Sequence, residues 1–365
     1  MEKLLISRAA QYRRPLSGTI ELTPLCNMSC EMCYVRLNRE ELHSHGNLHT
    51  ANEWISLAKE MAHAGVLFLL LTGGEPLLFP EFEKLYLAMK NLGMIITINT
   101  NGTLIDERWA EFFSKHQPRR VNVTIYGKDE DTYGALSHHR AGYLQAVRGI
   151  RLLKEAGVSV KINGSITNAN VGDMDAIYAL GHELNCPVHM DTYMVPCFRE
   201  GSRQFDSTVR MSPEKAAEAR VRSCKAEMSR DDFESFAKSL ISIVGKGNLR
   251  YGTHMTCQAG KSSFAINWKG EMKPCITSVE PSVSVFDTSF ELAWRQISAH
   301  VKQMHIHERC ATCRLRPLCD ICVVNAYWET GSYDGVPEYL CRYANETMRV
   351  MAAILRREMQ RKEEV

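Results

Sequence analysis

Short apolar runs recur along the first 200 residues and are separated by longer stretches in which apolar side chains have helical spacing. Runs of this length are too short for a buried helix and are typical of strands. From residue 66 on, the runs start every ~25 to 40 residues, the size of a βα unit. The pattern predicts six strands: Ser17–Leu22, Val66–Leu71, Ile95–Thr100, Val121–Tyr126, Val158–Ile166 and Val188–Met194.

Strands that alternate with helices predict a parallel sheet, either open and doubly wound or curled toward a barrel. Helix signals support the alternation: Thr50 followed by Glu53 is a capping box, and Gly65 ends the helix that follows it. The continuous apolar run from Val66 to Leu71 indicates a strand covered on both faces.

After residue 200 the pattern changes, and we divide the chain into four regions. These are a βα region at 1–200, a helical connector at 201–250, a small cysteine-rich domain at 251–345 and a C-terminal helix at 346–365. Within the connector, Ser212 starts a helical stretch that runs to about Val244. The charged, amphipathic C-terminal helix runs from Arg342 to about Lys362.

Chemistry-bearing motifs follow the predicted strands at their carboxyl ends, where ligands bind in parallel α/β folds. Cys26, Cys30 and Cys33 lie in the loop after the first strand, and Thr72–Pro76, TGGEP, follows the second. Three thiols can hold a soft centre and leave a fourth position open for substrate or cofactor. The plainer alternatives are half of a structural zinc site and an ordinary tight turn with a surface glutamate.

Composition excludes some classes of protein. The net charge is +2 and the pI is about 7.9, so nothing favours nucleic acid or membrane partners. The N-terminus lacks the apolar core of a signal peptide, and no apolar run is long enough to span a bilayer. We expect a cytoplasmic protein, in which clusters of its 13 cysteines are better explained as metal or cluster ligands than as disulfides.

A second cysteine group lies in the region 251–345. Seven thiols exceed one tetrahedral site and nearly fill two, so two iron–sulfur clusters are expected and zinc is the alternative. The residues are Cys257, Cys275, Cys310, Cys313, Cys319, Cys322 and Cys341.

The motifs CNMSCEMC and TGGEP, with the later strand-end motifs in the same order, resemble the radical S-adenosylmethionine (radical SAM) superfamily. The resemblance implies a partial (β/α)6 TIM-like barrel whose three loop cysteines hold a 4Fe-4S cluster, with S-adenosylmethionine chelated to the fourth iron. It also implies that Gly73, Gly74 and Glu75 contact the methionyl amine, and that Thr124 and Asn163 contact the cofactor. Met32 departs from the family, which usually has an aromatic residue there.

The second cysteine group resembles a SPASM domain, which binds auxiliary clusters. The resemblance implies two sets of ligands: Cys257, Cys275 and Cys322 on the first cluster, and Cys310, Cys313, Cys319 and Cys341 on the second. Two departures leave this partition open. The Cys319–Cys322 spacing is one residue shorter than usual, and no eighth cysteine follows Cys257. We therefore expect an open iron on the first auxiliary cluster, or a distant fourth ligand such as Cys224 or Cys197.

A few further residues bear on the site. Asp191 is our candidate for a general base at the end of the sixth strand, where Tyr193 and Arg199 also lie. The run His43, His45 and His49 is interpreted as a solvated loop, because no thiol or carboxylate lies at ligand spacing.

The resemblance implies reductive cleavage of S-adenosylmethionine to a 5′-deoxyadenosyl radical, which abstracts hydrogen from a substrate. We expect a maturase that introduces a thioether or carbon–carbon crosslink into a ribosomally made peptide. The alternatives are a sulfatase-maturating or quinone-cofactor-type oxidase and, in a different class, a non-catalytic iron–sulfur or zinc sensor. Expected partners are the peptide and a flavodoxin- or ferredoxin-type electron donor. Only about 25 residues precede Cys26, too few for a folded domain, so leader recognition is expected from a separate protein or from the connector and auxiliary domain.

Overall fold

A single sheet organises the molecule. The computed structural model describes residues 2–197, 208–247 and 250–363 of the 365-residue chain. Within these ranges, nine strands are ordered β6-β5-β4-β3-β2-β1-β7-β8-β9. Their bounds are β1 Ser17–Glu21, β2 Phe68–Thr72, β3 Ile95–Thr100, β4 Arg120–Thr124, β5 Val160–Ser165, β6 Val188–Asp191, β7 Ser263–Ile266, β8 Glu271–Lys273 and β9 Val283–Ser284.

The six predicted strands are confirmed, and neighbours from β1 to β6 pair in parallel. Apolar side chains such as Ile20, Leu71 and Ile98 are fully buried on the face that the helices cover. The opposite face is polar and only half buried, as in Thr19 and Asn99. This corrects the expectation for the second strand: Phe68 and Leu70 on its inner face are half buried, because that face borders the barrel interior.

Helices fill the connections between the strands. They are α1 Glu2–Gln11, α2 Arg39–His45, α3 Ala51–His63, α4 Phe82–Asn91, α5 Glu107–Lys115, α6 Glu130–Ser137, α7 Gly142–Glu155, α8 Met174–Glu183, α9 Pro213–Glu227, α10 Arg230–Gly245, α11 Phe290–Val301, α12 Glu308–Ala311, α13 Val323–Thr330 and α14 Glu338–Glu363. The capping box of Thr50 and Glu53 is confirmed at the start of α3. None of the described helices is long and apolar enough to cross a membrane.

Two predictions about the later helices need correction. The helical stretch from Ser212 to about Val244 is two helices, because Ser229 caps a new helix and its hydroxyl accepts a hydrogen bond from Asp232 N. The C-terminal helix begins at Glu338, before the predicted Arg342. Arg199 lies outside the described residues.

The sheet continues into the cysteine-rich segment. Strand β7 pairs in parallel with β1, with Ser17 opposite Ser263, and β8 and β9 extend the sheet in antiparallel pairs. One hydrophobic core contains residues from both regions, such as Ile20 and Phe264. The carboxyl end of the barrel therefore lies directly beside the second group of cysteines.

Candidate active site

The loop after β1 brings Cys26, Cys30 and Cys33 to one cavity at the carboxyl end of the sheet. Their sulfurs are close enough for the charge of each to act on the others. Backbone N–H groups already point at two of them: Met28 N donates to Cys26 Sγ at 3.4 Å, and Arg36 N donates to Cys33 Sγ at 3.4 Å. The loop is thus folded around its sulfur atoms.

Burial controls the protonation of these thiols. It raises the pKa of Cys26 to about 12, with a further contribution from the charge of Glu75, and it also raises the pKa of Cys30 and Cys33. A buried thiol keeps its proton unless a metal centre replaces it. Three buried thiols that face one another fit the ligand set of an iron–sulfur cluster.

The two glycines of TGGEP pack against the strand that leads into the cysteine loop. A Cβ atom on Gly73 would lie 2.4 Å from Thr23 O, and one on Gly74 would lie 2.4 Å from Leu25 O. Gly74 N also donates to Thr23 O at 2.7 Å. Both glycines line the cavity. Their lack of a side chain therefore lets the β2 loop approach the β1 loop closely, in addition to any approach to a ligand.

Glu75 is completely buried and is not part of the cavity wall. Its carboxylate accepts hydrogen bonds from Thr100 Oγ1 at 2.8 Å, from Asn101 N at 2.9 Å and from Leu77 N at 3.1 Å. Burial raises its pKa to about 7 although these donors lower it. Asn101 Nδ2 in turn lies 3.7 Å from Cys26 Sγ. The carboxylate thus fixes the β3 end against the cysteine loop.

The cavity has a volume of about 590 Å³ and lies across the strand ends. Thr124 and Asn163 line it, as does Met32 from the cysteine loop. Asn163 Oδ1 is buried and has no hydrogen-bond partner among the described residues. An acceptor of this kind suits a bound group with N–H or O–H donors, as S-adenosylmethionine has. Thr277 completes the wall from the cysteine-rich segment.

The second group of cysteines separates into two sets by mutual electrostatic interaction. We call Cys257, Cys275 and Cys322 auxiliary set 1, and Cys310, Cys313, Cys319 and Cys341 auxiliary set 2. Burial raises the pKa of Cys322 to about 11 and that of Cys319 to about 12. In set 1, Asn325 N donates to Cys322 Sγ at 3.3 Å, so this sulfur caps α13. A thiolate is favoured at such a helix N-terminus.

The other cysteines and the histidine run have separate surroundings. Cys224 on α9 interacts with Arg220, Glu227 and Asp320, whereas Cys197 lines the main cavity. His49 stacks on Phe286 at a centroid distance of 3.8 Å. Over the described ranges, no group of three or more His, Cys, Asp or Glu side chains converges on a point for a single metal ion.

Asp191, the candidate base, lies at the end of β6 and lines the cavity together with Tyr193. Its side chain is 76% exposed, so solvent and substrate can reach it. Sequence reasoning did not find its neighbour His189, whose Nε2 lies 3.6 Å from Asp191 Oδ1. The alternation of β6 was the available signal, because residues two apart in a strand share a face.

Comparison with known proteins identifies the superfamily to which part of the chain is similar. The model of the Radical SAM superfamily matches residues 20–177. An AdoMet-dependent heme synthase of Nitratidesulfovibrio vulgaris is 22% identical over 343 residues, 90% of this chain and 92% of that protein. The sporulation killing factor maturation protein SkfB of Bacillus subtilis is 27% identical over 179 residues, 48% of this chain and 42% of that protein.

Among solved structures, native anSMEcpe with bound AdoMet and Kp18Cys peptide superposes with a TM-score of 0.69. The two are 18% identical, and the match covers 95% of this chain and 99% of that one. The two proteins therefore share their fold over nearly their whole lengths. This confirms the predicted fold class.

Fold, thiol loop and cavity together define an enzyme that acts through S-adenosylmethionine and an iron–sulfur cluster. Residues 20–177 are a radical SAM domain, and a cysteine-rich segment follows it in the chain.

Proposed function

We propose that this enzyme is a maturase of a ribosomally synthesised peptide. It abstracts hydrogen from a side chain or the backbone of the peptide and forms a thioether or carbon–carbon crosslink. We also assign the cluster to Cys26, Cys30 and Cys33, and the auxiliary clusters to auxiliary sets 1 and 2.

One observation carries the proposal: the cavity is built jointly by the barrel and the cysteine-rich segment. Thr277 belongs to the cavity wall, and its Oγ1 lies 3.6 Å from Cys275 Sγ of auxiliary set 1. Trp328 Nε1 donates to Thr277 O at 2.7 Å and holds this turn in place. Crosslinking removes an electron or engages a thiolate after hydrogen abstraction. A substrate group in this cavity has an auxiliary set within short reach.

Residues of the chain have distinct tasks in this proposal. Bound at the cluster, S-adenosylmethionine supplies the radical that takes the hydrogen atom. Gly73, Gly74 and Glu75 hold the cysteine loop in register, and Thr124 and Asn163 orient the cofactor by hydrogen bonds. Asp191 accepts the substrate proton at its carboxylate when the reaction also removes a proton.

A carboxylated porphyrin is the second candidate substrate, because the heme synthase relatives match most of the chain. The cavity favours the peptide. None of the described residues that line it is lysine, arginine or histidine, whereas Asp191 adds an acidic group. Carboxylates in a binding site are normally paired with cations or several donors. SkfB, by its name a maturation protein, and the peptide bound to anSMEcpe lend support.

Radical formation needs an electron donor, and a peptide substrate needs a binding site for its leader. A flavodoxin or ferredoxin delivers the electron, and a separate protein, or the connector and extension, binds the leader of the peptide.

The test begins with anaerobic reconstitution and metal counting. We expect about 12 iron atoms per chain, four for each of three clusters, and no zinc. The enzyme is then given S-adenosylmethionine and reductant with either a short peptide encoded beside its gene or an iron porphyrin that carries propionates. We expect 5′-deoxyadenosine together with a peptide product that has lost two hydrogens.

The variant Cys26→Ala/Cys30→Ala/Cys33→Ala is the control and should lose about four irons and all 5′-deoxyadenosine. Conversion of the porphyrin alone would refute the peptide assignment. Modification of a protein encoded nearby, such as a sulfatase, would favour the oxidase alternative, and zinc without iron would favour the sensor.

A further inference from the structure

A second cavity lies behind the end of β6. Its volume is about 340 Å³, and it shares Asp191 and Tyr193 with the main cavity. His189 and Glu227 line the second cavity and do not line the first. The exposed carboxylate of Asp191 thus lies at the boundary between the two spaces.

His189 lies between two carboxylates. Its Nε2 lies 3.6 Å from Asp191 Oδ1, and its Nδ1 lies 3.2 Å from Glu227 Oε2. The ring has about half of its surface exposed. Each ring nitrogen of the histidine therefore faces one carboxylate, and the three groups form a chain that leads away from the main cavity.

Glu227 is held firmly on α9. Its Oε1 accepts hydrogen bonds from Tyr178 OH and from Ser223 Oγ, both at 3.0 Å, and from Met190 N at 3.4 Å. Three donors on one oxygen leave Oε2 for the histidine. Because its other partners come from α8, α9 and β6, Glu227 holds its Oε2 at a defined position beside the histidine ring.

Charged groups on β5, β6 and α9 surround the His189 ring. Asp191 and Glu227 hold the pKa of His189 at about 9 through their hydrogen bonds, although burial opposes this shift. Lys161 on β5 interacts with the same two carboxylates. The other charged or titratable side chains that line this cavity are those of Tyr193, Arg220, Cys224, Asp320 and Tyr343. The imidazole is therefore charged at neutral pH and carries a proton on each nitrogen.

We propose that His189 and Glu227 form a proton relay that carries the substrate proton from Asp191 to solvent. This rests on the proposed function, in which crosslinking releases a proton. Asp191 gains an O–H bond as the substrate loses its proton. The protonated His189 gives its Nδ1 proton to Glu227 and is left neutral, with its other proton still on Nε2. The half-exposed ring then turns over, so that the bare nitrogen faces Asp191 and takes the proton from its O–H group. This restores the Asp191 carboxylate and the charged imidazolium. Glu227, 28% exposed, releases the proton to water. His189 acts through Asp191 and is a positioning residue.

The first test needs no substrate. Hydrogen–deuterium exchange at the C2 carbon of each histidine, measured by mass spectrometry on the full chain, gives the pKa of His189. We expect a midpoint near pH 9, and a lower midpoint in Asp191→Asn because one of the two carboxylate charges is lost. A midpoint near the ordinary value of about 6.5 in the unaltered enzyme would overturn the relay.

The second test uses chemical rescue. In His189→Ala, we expect the rate of peptide product formation to fall about 100-fold, with more 5′-deoxyadenosine formed per crosslink. The cavity left by the ring has room for free imidazole, which should restore the rate at least tenfold. His182→Ala is the matched control, an exposed histidine on α8 outside this chain of groups, and should behave like the unaltered enzyme.

The outcomes separate the two proposals. If His189→Ala keeps the full rate, or falls and is not restored by imidazole while the fold is intact, the relay is wrong and the maturase assignment stands. If no peptide is processed but His189 titrates near pH 9 and responds to Asp191→Asn, the maturase assignment fails and the proton-conducting geometry stands.

Discussion

At the scale of single residues, Glu75 shows how a buried carboxylate can organise a site that it does not enter. Its oxygens hold Thr100, Asn101 and Leu77, and Asn101 reaches Cys26. Desolvation disfavours the charged form, while the three donors favour it. The balance between these effects raises the pKa of Glu75 to about 7, well above that of an exposed glutamate.

This raised pKa predicts a pH-dependent stability. The unfolded chain releases the Glu75 proton near pH 4.5, whereas the folded chain keeps it until about pH 7, so stability falls as the pH rises through this window. Between pH 5 and pH 8, the enzyme should lose about 2 kcal/mol relative to Glu75→Gln. Anaerobic urea unfolding of both proteins at the two pH values measures this difference. An equal pH dependence in both would contradict the raised pKa.

At the scale of elements, start signals in the sequence located α3 and α9, because a cap is set by residues three apart. The residues that surround each helix were harder to predict from the sequence. From the sequence, Cys224 and Cys197 were candidates for a distant fourth ligand of the first auxiliary cluster. Cys224 lies on α9 among Arg220, Glu227 and Asp320, whereas the cysteines of auxiliary set 1 interact with one another.

We therefore predict that Cys224→Ser keeps the iron content and the electron paramagnetic resonance spectrum of the unaltered enzyme. Cys257→Ala serves as the positive control and should alter both, because it removes a member of auxiliary set 1. Loss of four-thiol character in the spectrum of Cys224→Ser would show that this cysteine is the distant ligand after all.

At the scale of the whole molecule, buried polar contacts join the barrel end to the extension. Arg210 of the connector pairs with Glu329 on α13, with one contact at 3.2 Å, and the two side chains are only 10% and 8% exposed. Tyr193 OH donates to Glu329 at 2.8 Å, and the Arg210 guanidinium stacks on Tyr339 at 3.4 Å. Removing one charge would leave the other buried without its partner.

Glu329→Gln should therefore lower the free energy of unfolding by about 3 kcal/mol, measured by urea denaturation. Glu291→Gln is the matched control, since the Glu291–Arg295 pair on α11 is 66% and 72% exposed, and its loss should cost less than about 1 kcal/mol. Equal effects of the two substitutions would mean that the buried pair does not join the two regions.

The sequence by itself determined the six parallel strands, the starts of α3 and α9 and the clustering of Cys26, Cys30 and Cys33, because these depend on periodicity and short spacing. It also implied two sets among the seven later cysteines. The tertiary structure alone decided that β7 lies beside β1, that Thr277 enters the cavity and that His189 meets Glu227. These contacts join residues far apart in the chain, and their geometry arises only when the packed core fixes the distances between elements.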